Sequence, residues 1–266
     1  MNIISRRTII VMGLLDRCSL AWITGQTLSK MGYRIIYTIQ SETLKKRYLD
    51  SDKSLSDSEK AAMEILFCDV TRENEIKDVF TKCANIHGVV HSLAYANPAT
   101  CLGNEFHNGT VEDILKSFQV SSLSLALVAK YAVPQMKNGG SIVTLTFDSL
   151  RAYPLYNWMG VNKAALEAIV RALARRHGKD NVRVNAVSAG PVLTTASSRI
   201  PNFNTLIEWW DKKAPIKWDP EASKSAIADT IAFLIGEQSR FITGQTIYVD
   251  GGASIIGGEL LDFERK

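Results

Sequence analysis

Cysteine is scarce in this chain of 266 residues, and its four copies lie far apart. Zinc sites and disulfide frameworks use closely or regularly spaced cysteines, and no CxxC pair occurs among Cys18, Cys68, Cys83 and Cys101. We therefore predict neither a metal site nor a disulfide framework. Cys68 ends an apolar run, which predicts that its thiol is buried.

Long apolar segments and dense positive charge are also missing. No run approaches the roughly 18 apolar residues that a membrane span needs. The apolar stretch at residues 8–15 is too short for a secretory signal and has no small-residue cleavage site. The formal net charge is only +4 and the basic residues are scattered, whereas nucleic-acid binders show a dense basic stripe. We expect a cytoplasmic enzyme with no membrane and no nucleic-acid partner.

Short apolar, β-branched runs do occur, and they alternate with amphipathic stretches. The runs are typical of strands buried on both faces of a parallel sheet and lie at residues 8–12, 34–38, 65–68, 88–92, 141–145, 182–187 and 245–249. The stretches between them predict helices at residues 19–31, 42–48, 73–83, 111–137, 157–177 and 220–236. This alternation predicts an α/β fold, a single Rossmann-type doubly wound domain over residues 1–266 with seven parallel strands flanked by helices.

Two longer irregular segments, residues 95–110 and 191–203, follow strand ends, where ligands bind in such sheets. The second segment leads into a short aromatic helix at residues 206–210 that contains Trp209 and Trp210. These tryptophans either pack within the fold or against another subunit, or the helix covers an apolar substrate. We take residues 194–218 as the predicted substrate-binding loop and helix.

The first predicted strand ends at Gly13 and a helix begins near Ser19, the position where a pyrophosphate meets helix amides. This turn has only one glycine and lacks the GxGxxG motif of dinucleotide-binding folds. An ordinary turn between a strand and a helix is therefore the alternative to a pyrophosphate site. Gln40 and Asp69 end the second and third strands, where dinucleotide folds hold the ribose and the adenine. Asp69 would accept from the adenine amino group, or it would cap the next helix.

Charge near the end of the second strand favours NADH over NADPH. NADPH needs cations there for its extra phosphate, but the chain has Gln40 and Ser41 followed by Glu42, which would repel a phosphate. Lys45 and Lys46 lie a helical turn further on and could reach back.

Tyr156 and Lys163 follow the fifth predicted strand and are seven residues apart. Because seven residues is close to two helical turns, both side chains face the same way. A lysine cation near a phenol favours the phenolate and lowers its pKa, and lysine can also donate to ribose hydroxyls. The spacing alone is a weak signal, and its meaning depends on the surrounding motifs.

Residues 147–193 resemble the enoyl-acyl-carrier-protein reductases, a branch of the short-chain dehydrogenase/reductase superfamily with Tyr-x6-Lys in place of Tyr-x3-Lys. Further matches cover essentially the whole chain: Gly13, Ser19 and Ala21; Gln40; Cys68-Asp69-Val70; His91 to Ala96; Ser188-Ala189-Gly190-Pro191; Val249-Asp250-Gly251-Gly252. Phe147-Asp148 and Tyr156-Asn157-Trp158-Met159 look more like the mycobacterial enoyl reductases. The resemblance implies an NADH-dependent reductase of type II fatty-acid synthesis, acting on an acyl-carrier-protein-bound enoyl substrate and assembled as a homotetramer.

The resemblance also implies residue roles. The NADH site would be lined by Gly13, Ser19, Leu20, Gln40, Asp69, Val70, Leu93, Lys163, Val192, Leu193, Thr194, Thr195 and Ala196. Ala96 and Phe147 would border the substrate. Tyr156 would donate a hydrogen bond to the thioester carbonyl as negative charge develops there. His91 lies in a stretch that would offer backbone contacts, so a structural role is expected for its side chain.

Three positions depart from the family pattern. Phe147 stands where many members carry a second tyrosine, and it cannot donate a hydrogen bond. Leu193 replaces the usual arginine. Asp16 would be unfavourable near a pyrophosphate unless it points away or pairs with Arg17.

Two alternative functions remain open from the sequence. One is a short-chain reductase acting on another carbonyl or enone; the other is a dinucleotide-binding member with weak or no activity. Carbonyl reductases of the superfamily carry a catalytic serine well before the tyrosine. Ser149 is too close to Tyr156 for that role, so only Thr144 or Thr146 could stand in.

Overall fold

A seven-stranded sheet forms the centre of the fold. The computed structural model describes residues 7–260. Its strands are β1 (Thr8–Met12), β2 (Arg34–Ile39), β3 (Glu64–Phe67), β4 (Ile86–His91), β5 (Gly140–Thr146), β6 (Val182–Ala189) and β7 (Thr246–Val249). They lie in the order β3-β2-β1-β4-β5-β6-β7, and every pairing is parallel. The predicted fold class is confirmed.

The helices within residues 7–260 are α1 (Leu20–Lys30), α2 (Glu42–Lys45), α3 (Asp57–Ala62), α4 (Glu73–Lys82), α5 (Val111–Phe118), α6 (Ser124–Ala132), α7 (Asn157–His177), α8 (Phe203–Lys213) and α9 (Ser223–Ile235). No helix among these is long and apolar enough to cross a membrane.

Two apolar cores cover the two faces of the sheet. Side chains alternate between the faces along a strand, so Ile9 of β1 joins the core with α1 and α9, whereas Ile10 joins the core with α4, α6 and α7. All five residues of β1 are buried, as expected for a strand covered on both sides. The chain order reverses between β1 and β4, which opens a crevice at the carboxyl ends of these strands.

The helical predictions need correction at four places. The predicted helix at residues 111–137 is divided by a π turn at Gln119–Leu123 and ends in a 3-10 turn at Val133–Gln135. The predicted helix at 42–48 becomes a π turn from Lys46 onwards. Helix α3 was not predicted, although Ser56 and Glu59 form a capping box that marks its start. Helix α8 is longer than the five residues predicted.

Candidate active site

Gly13 brings the turn after β1 into close contact with the end of β4. Its φ is +95°, and a Cβ atom placed there would lie 2.1 Å from the carbonyl oxygen of Ser92 and 3.1 Å from Leu93 Cδ2. Only glycine has both this φ and this clearance. Gly13 therefore lets the turn after β1 pack directly against the end of β4, next to the predicted cofactor residue Leu93.

The N-terminus of α1, which follows this turn, has two unpaired amides. Ser19 is the N-cap, and its side chain accepts from the amide of Trp22 at 3.2 Å. The amides of Leu20 and Ala21 have no hydrogen-bond partner within residues 7–260. Free amides at the end of an 11-residue helix bind anions such as a pyrophosphate.

Asp16 lies beside these amides and connects two segments of the site. Its carboxylate accepts from the amide of Cys18 at 2.9 Å and from the hydroxyl of Thr195. Arg17, one of the two ways in which the sequence left room for this charge, does not pair with it and donates instead to the carbonyl and hydroxyl oxygens of Ser54 at 3.1 and 2.9 Å. The Asp16 carboxylate therefore stays close to where a pyrophosphate would bind.

We predict that Asp16→Asn tightens NADH binding about tenfold. The asparagine amide has nearly the same shape as the carboxylate but carries no negative charge. One repulsion between the carboxylate and a cofactor phosphate is worth about 1–2 kcal/mol at a protein surface. Titration of NADH fluorescence would measure the dissociation constant. Asp180→Asn removes the same charge just before β6, at the opposite end of the sheet from the turn after β1, and is the control. Unchanged affinity in Asp16→Asn would mean that the carboxylate faces away from the cofactor.

Gln40 and Asp69 meet at the ends of β2 and β3. The Gln40 amide donates to Asp69 Oδ2 at 3.1 Å, and Asp69 Oδ1 accepts from the amide and the hydroxyl of Thr71 at 2.9 and 2.7 Å. The helix-capping alternative for Asp69 is wrong, because the N-cap of α4 is Arg72. Asp69 instead closes the turn before α4, and Val70 beside it is buried in the core.

Tyr156 directly precedes α7 between two residues with unusual backbone angles. Leu155 has φ +68° and Asn157 has φ +41°, and such angles in residues other than glycine often accompany functional sites. The Tyr156 ring is half-buried, and its hydroxyl has no hydrogen-bond partner within residues 7–260. The hydroxyl is therefore free to contact a ligand.

Lys163 lies on the buried face of α7, and its amine donates to the carbonyl oxygen of Leu145 at 2.9 Å. Burial lowers the pKa of Lys163 to about 8, against the opposing charge of Glu167. Burial raises the pKa of Tyr156. The expectation that Lys163 lowers the pKa of this phenol is therefore wrong. Tyr156 stays protonated at neutral pH and is a hydrogen-bond donor.

An aromatic cluster stands beside Tyr156. The Phe147 ring centre lies 4.6 Å from that of Tyr156, 4.8 Å from Tyr153 and 5.2 Å from Trp210. Trp210 is 1% exposed and donates from its indole nitrogen to the carbonyl of Asp250 at 2.9 Å. Packing within the fold therefore accounts for Trp210, which also reaches the predicted substrate residue Phe147.

Two loops border the site. In the loop after β4, the amide of Gly103 donates to the carbonyl of Leu155 at 2.9 Å, and Phe106 stacks on Trp158 with ring centres 4.7 Å apart. Ala96 is half-buried in this loop.

In the loop after β6, Ser197 ties the backbone of Val192 and Thr194 together. Thr195 is held by Asp16, Leu193 is 36% exposed, and Ala196 leads into the turn Ser197–Arg199. The hydrogen bond from Thr195 to Asp16 thus joins the loop at residues 192–196 to the turn after β1.

The residues around β5 argue against carbonyl reduction. The Thr144 hydroxyl forms a hydrogen bond with His91 Nδ1 at 2.9 Å. The Ser124 hydroxyl forms one with His91 Nε2 at 2.8 Å. His91 is fully buried, and burial lowers its pKa to about 3, which fits a structural role. Thr146 donates to Glu167 at 2.8 Å. Neither threonine is free to replace the catalytic serine of a carbonyl reductase.

Sequence reasoning did not single out Glu167 or Asp148. Asp148 is 2% exposed and accepts from the hydroxyls of Tyr153 and Tyr248 at 2.6 and 3.3 Å. Glu167 is 5% exposed on α7. A signal for Glu167 did exist, because an acid four residues after Lys163 falls on the same helix face.

Together, the doubly wound parallel sheet, the anion-binding helix end and the tyrosine–lysine pair define a dinucleotide-dependent reductase of the short-chain dehydrogenase/reductase class. The sequence profile described as "Enoyl-(Acyl carrier protein) reductase" matches residues 13–254. The chain belongs to the enoyl-acyl-carrier-protein reductase family, which confirms the family predicted from the sequence.

Relatives and solved structures agree with this assignment. The NADH-dependent enoyl-[acyl-carrier-protein] reductase FabI of Bacillus subtilis is 38% identical over 254 residues, which is 94% of this chain and 96% of the relative. The NADPH-dependent FabI of Staphylococcus aureus is 34% identical over 94% of this chain and 97% of its own. The NAD complex of the Anaplasma phagocytophilum reductase superposes with a TM-score of 0.87 at 32% identity, covering 97% of each chain.

Proposed function

We propose that this chain is an NADH-dependent enoyl-acyl-carrier-protein reductase of type II fatty-acid synthesis. In the proposed reaction, the β-carbon of a trans-2-enoyl thioester accepts a hydride. One observation carries the proposal: within this family's fold, Tyr156 presents an unpaired, protonated phenol at the start of the helix that also carries Lys163. Relatives that carry this activity in their names match the chain over nearly its full length.

The residues present fit a dinucleotide. Gly13 lets the turn before α1 pack closely against the end of β4, and the free amides of Leu20 and Ala21 suit a pyrophosphate. Gln40 and Asp69 would meet the adenosine half, and the loop at residues 192–196 would meet the nicotinamide half. NADH, when bound, supplies the hydride.

Charge pairing at the end of β2 supports NADH over NADPH. Lys45 forms an ion pair with Asp50 at 2.6 Å, and Lys46 forms one with Glu42 at 2.8 Å. Both lysines that could have reached a 2′-phosphate therefore already face carboxylates. A 2′-phosphate would have to compete with these acids.

In the proposed mechanism, the Tyr156 hydroxyl donates to the thioester carbonyl oxygen. Hydride addition at the β-carbon places negative charge on that oxygen, and a donor aimed there stabilises the transition state more than the substrate. Lys163 uses one of its three N–H groups on Leu145, which leaves donors for the ribose hydroxyls. Its positive charge also favours the developing anion.

Apolar side chains would hold the acyl part of the substrate. Phe147 lies against Tyr156 and cannot donate a hydrogen bond, so its proposed role is to pack against the substrate. We also propose that Ala96 borders the substrate, that residues 194–218 form the substrate loop and helix, and that residues 1–266 are one domain. The six residues at each end of this range lie outside the described part of the chain.

We further propose a homotetramer located in the cytoplasm. Helix α5 exposes Val111 (74%) and Leu115 (60%), and α7 exposes Val161 (46%). Exposed apolar side chains on adjacent helices support subunit packing.

The activity is tested by following NADH absorbance with crotonyl, dodecenoyl and acetoacetyl thioesters. We expect turnover of the enoyl thioesters, faster with NADH than with NADPH. Turnover of the acetoacetyl thioester alone would instead support a carbonyl reductase. NADH binding without any turnover would support a dinucleotide-binding member that has lost activity.

A further inference from the structure

Glu167 is a buried acid that the mechanism above does not use. It lies on α7 one turn beyond Lys163, and its two carboxylate oxygens accept from the hydroxyls of Thr146 and Ser149, both at 2.8 Å. Within residues 7–260, no lysine or arginine forms an ion pair with Glu167. A buried carboxylate held only by neutral donors lowers the stability of the fold. Its negative charge therefore needs a functional explanation.

The two charged residues on the buried face of α7 are neighbours. Lys163 and Glu167 are 4% and 5% exposed and four residues apart, so they lie on one face of the helix. They do not form a direct ion pair, because the Lys163 amine donates to the Leu145 carbonyl. Glu167 therefore acts on Lys163 through its field and leaves the amine free for a ligand.

Three of the other ionisable groups near this pair are neutral around pH 8, and a fourth is ion-paired. His91 from β4 has its pKa lowered to about 3 by burial. The pKa of Tyr248 from β7 is raised to about 12, and that of Tyr156 is raised as well. Asp148, in the loop after β5, is compensated by Arg151 at 2.9 Å. Glu167 is thus the uncompensated charge that faces Lys163.

We propose that Glu167 is a positioning residue that keeps Lys163 protonated for cofactor binding, with Thr146 and Ser149 fixing the direction of its carboxylate. This inference rests on the proposed role of Lys163. Burial favours the neutral amine, whereas a nearby negative charge favours the cation. Glu167 supplies that charge from one turn further along α7, where Thr146 and Ser149 hold its carboxylate.

The test compares the wild-type chain with Glu167→Gln in two measurements. Lysine side-chain NMR in the absence of cofactor reports the pKa of Lys163, with its signal assigned from Lys163→Arg. The pH dependence of kcat/KM for NADH reports the same group in the free enzyme. We expect the Lys163 titration and the alkaline limb to move down by about one pH unit. The rate at pH 8 would then fall about fivefold while the rate at pH 6 stays close to wild type.

Controls separate this effect from a structural one. Glu237→Gln removes one exposed acid at the opposite end of the sheet, and its profile should match that of the wild type. If Glu167→Gln does not fold, Glu167→Asp keeps the charge on a shorter side chain and should give a smaller shift in the same direction.

Two outcomes would overturn different claims. An unmoved Lys163 titration in a folded Glu167→Gln variant would overturn the role of Glu167 alone. The proposed roles of Tyr156 and Lys163 would be overturned by two results together. These are a wild-type pH profile of kcat/KM in which no titration can be assigned to Lys163, and full activity in Lys163→Met.

Discussion

Replacing Tyr156 with phenylalanine is expected to lower kcat for enoyl thioesters by about two to three orders of magnitude. The Tyr156 hydroxyl has no other partner within the described residues, so its loss removes a donor to the developing anion without breaking a structural hydrogen bond. The ring that packs on Phe147 is retained, and NADH affinity should change little. Steady-state kinetics with crotonyl thioester and a separate NADH titration measure the two effects.

Tyr131→Phe is the matched control for this substitution. It also removes one phenol hydroxyl, but that hydroxyl donates to Glu73 on the opposite side of α6 from the site, at 2.7 Å. Its kcat should stay within about twofold of the wild type, as is usual for surface changes. If Tyr156→Phe were equally active, the assignment of the donor would be wrong.

Gly13→Ala is expected to destabilise the protein strongly and to abolish NADH binding. An alanine at φ +95° costs about 1–2 kcal/mol, and its Cβ would also overlap the backbone oxygen of Ser92, which cannot rotate away. Overpacking adds about 1–3 kcal/mol. Chemical denaturation measures the free energy of unfolding.

Gly32→Ala separates the two contributions. Gly32 has φ +91°, almost the same as Gly13, but a Cβ there meets nothing within 4 Å. This variant should lose only the conformational part, about 1–2 kcal/mol, and should bind NADH normally. Equal losses in the two variants would show that the turn after β1 can move away from Ser92.

The sheet was predictable because its strands have a strong sequence signal. Apolar β-branched runs placed all seven strands to within about two residues, since a strand covered on both faces requires such a run. Helical spacing is a local property, so Lys163 could be placed on a helix that begins beside Tyr156, although Tyr156 itself precedes that helix. The roles assigned to the cofactor and substrate residues remain predictions.

The errors have a common physical cause. The pKa of Tyr156 depends on how deeply the ring is buried, and that depth is set by residues distant in sequence. The Asp16 carboxylate accepts a hydrogen bond from Thr195, which lies 179 positions away in the chain, so local charge could not identify its partner. The Glu167 carboxylate is held by Thr146 and Ser149. These residues reach it only because α7 packs on β5, which local sequence does not show.

The π turn at Gln119–Leu123 sets the rotational phase between α5 and α6. A π turn holds one more residue than an α turn, and each residue rotates a helix by about 100°. The serines before and within the turn, Ser117 and Ser121, hold the carbonyl of Tyr95 at 2.8 and 3.0 Å. A single deletion here would rotate α5 by about 100° relative to α6, which would redirect its exposed apolar residues and break the hydrogen bonds that hold the loop after β4. One inserted residue therefore aligns an outer surface of the protein with the rim of its active site.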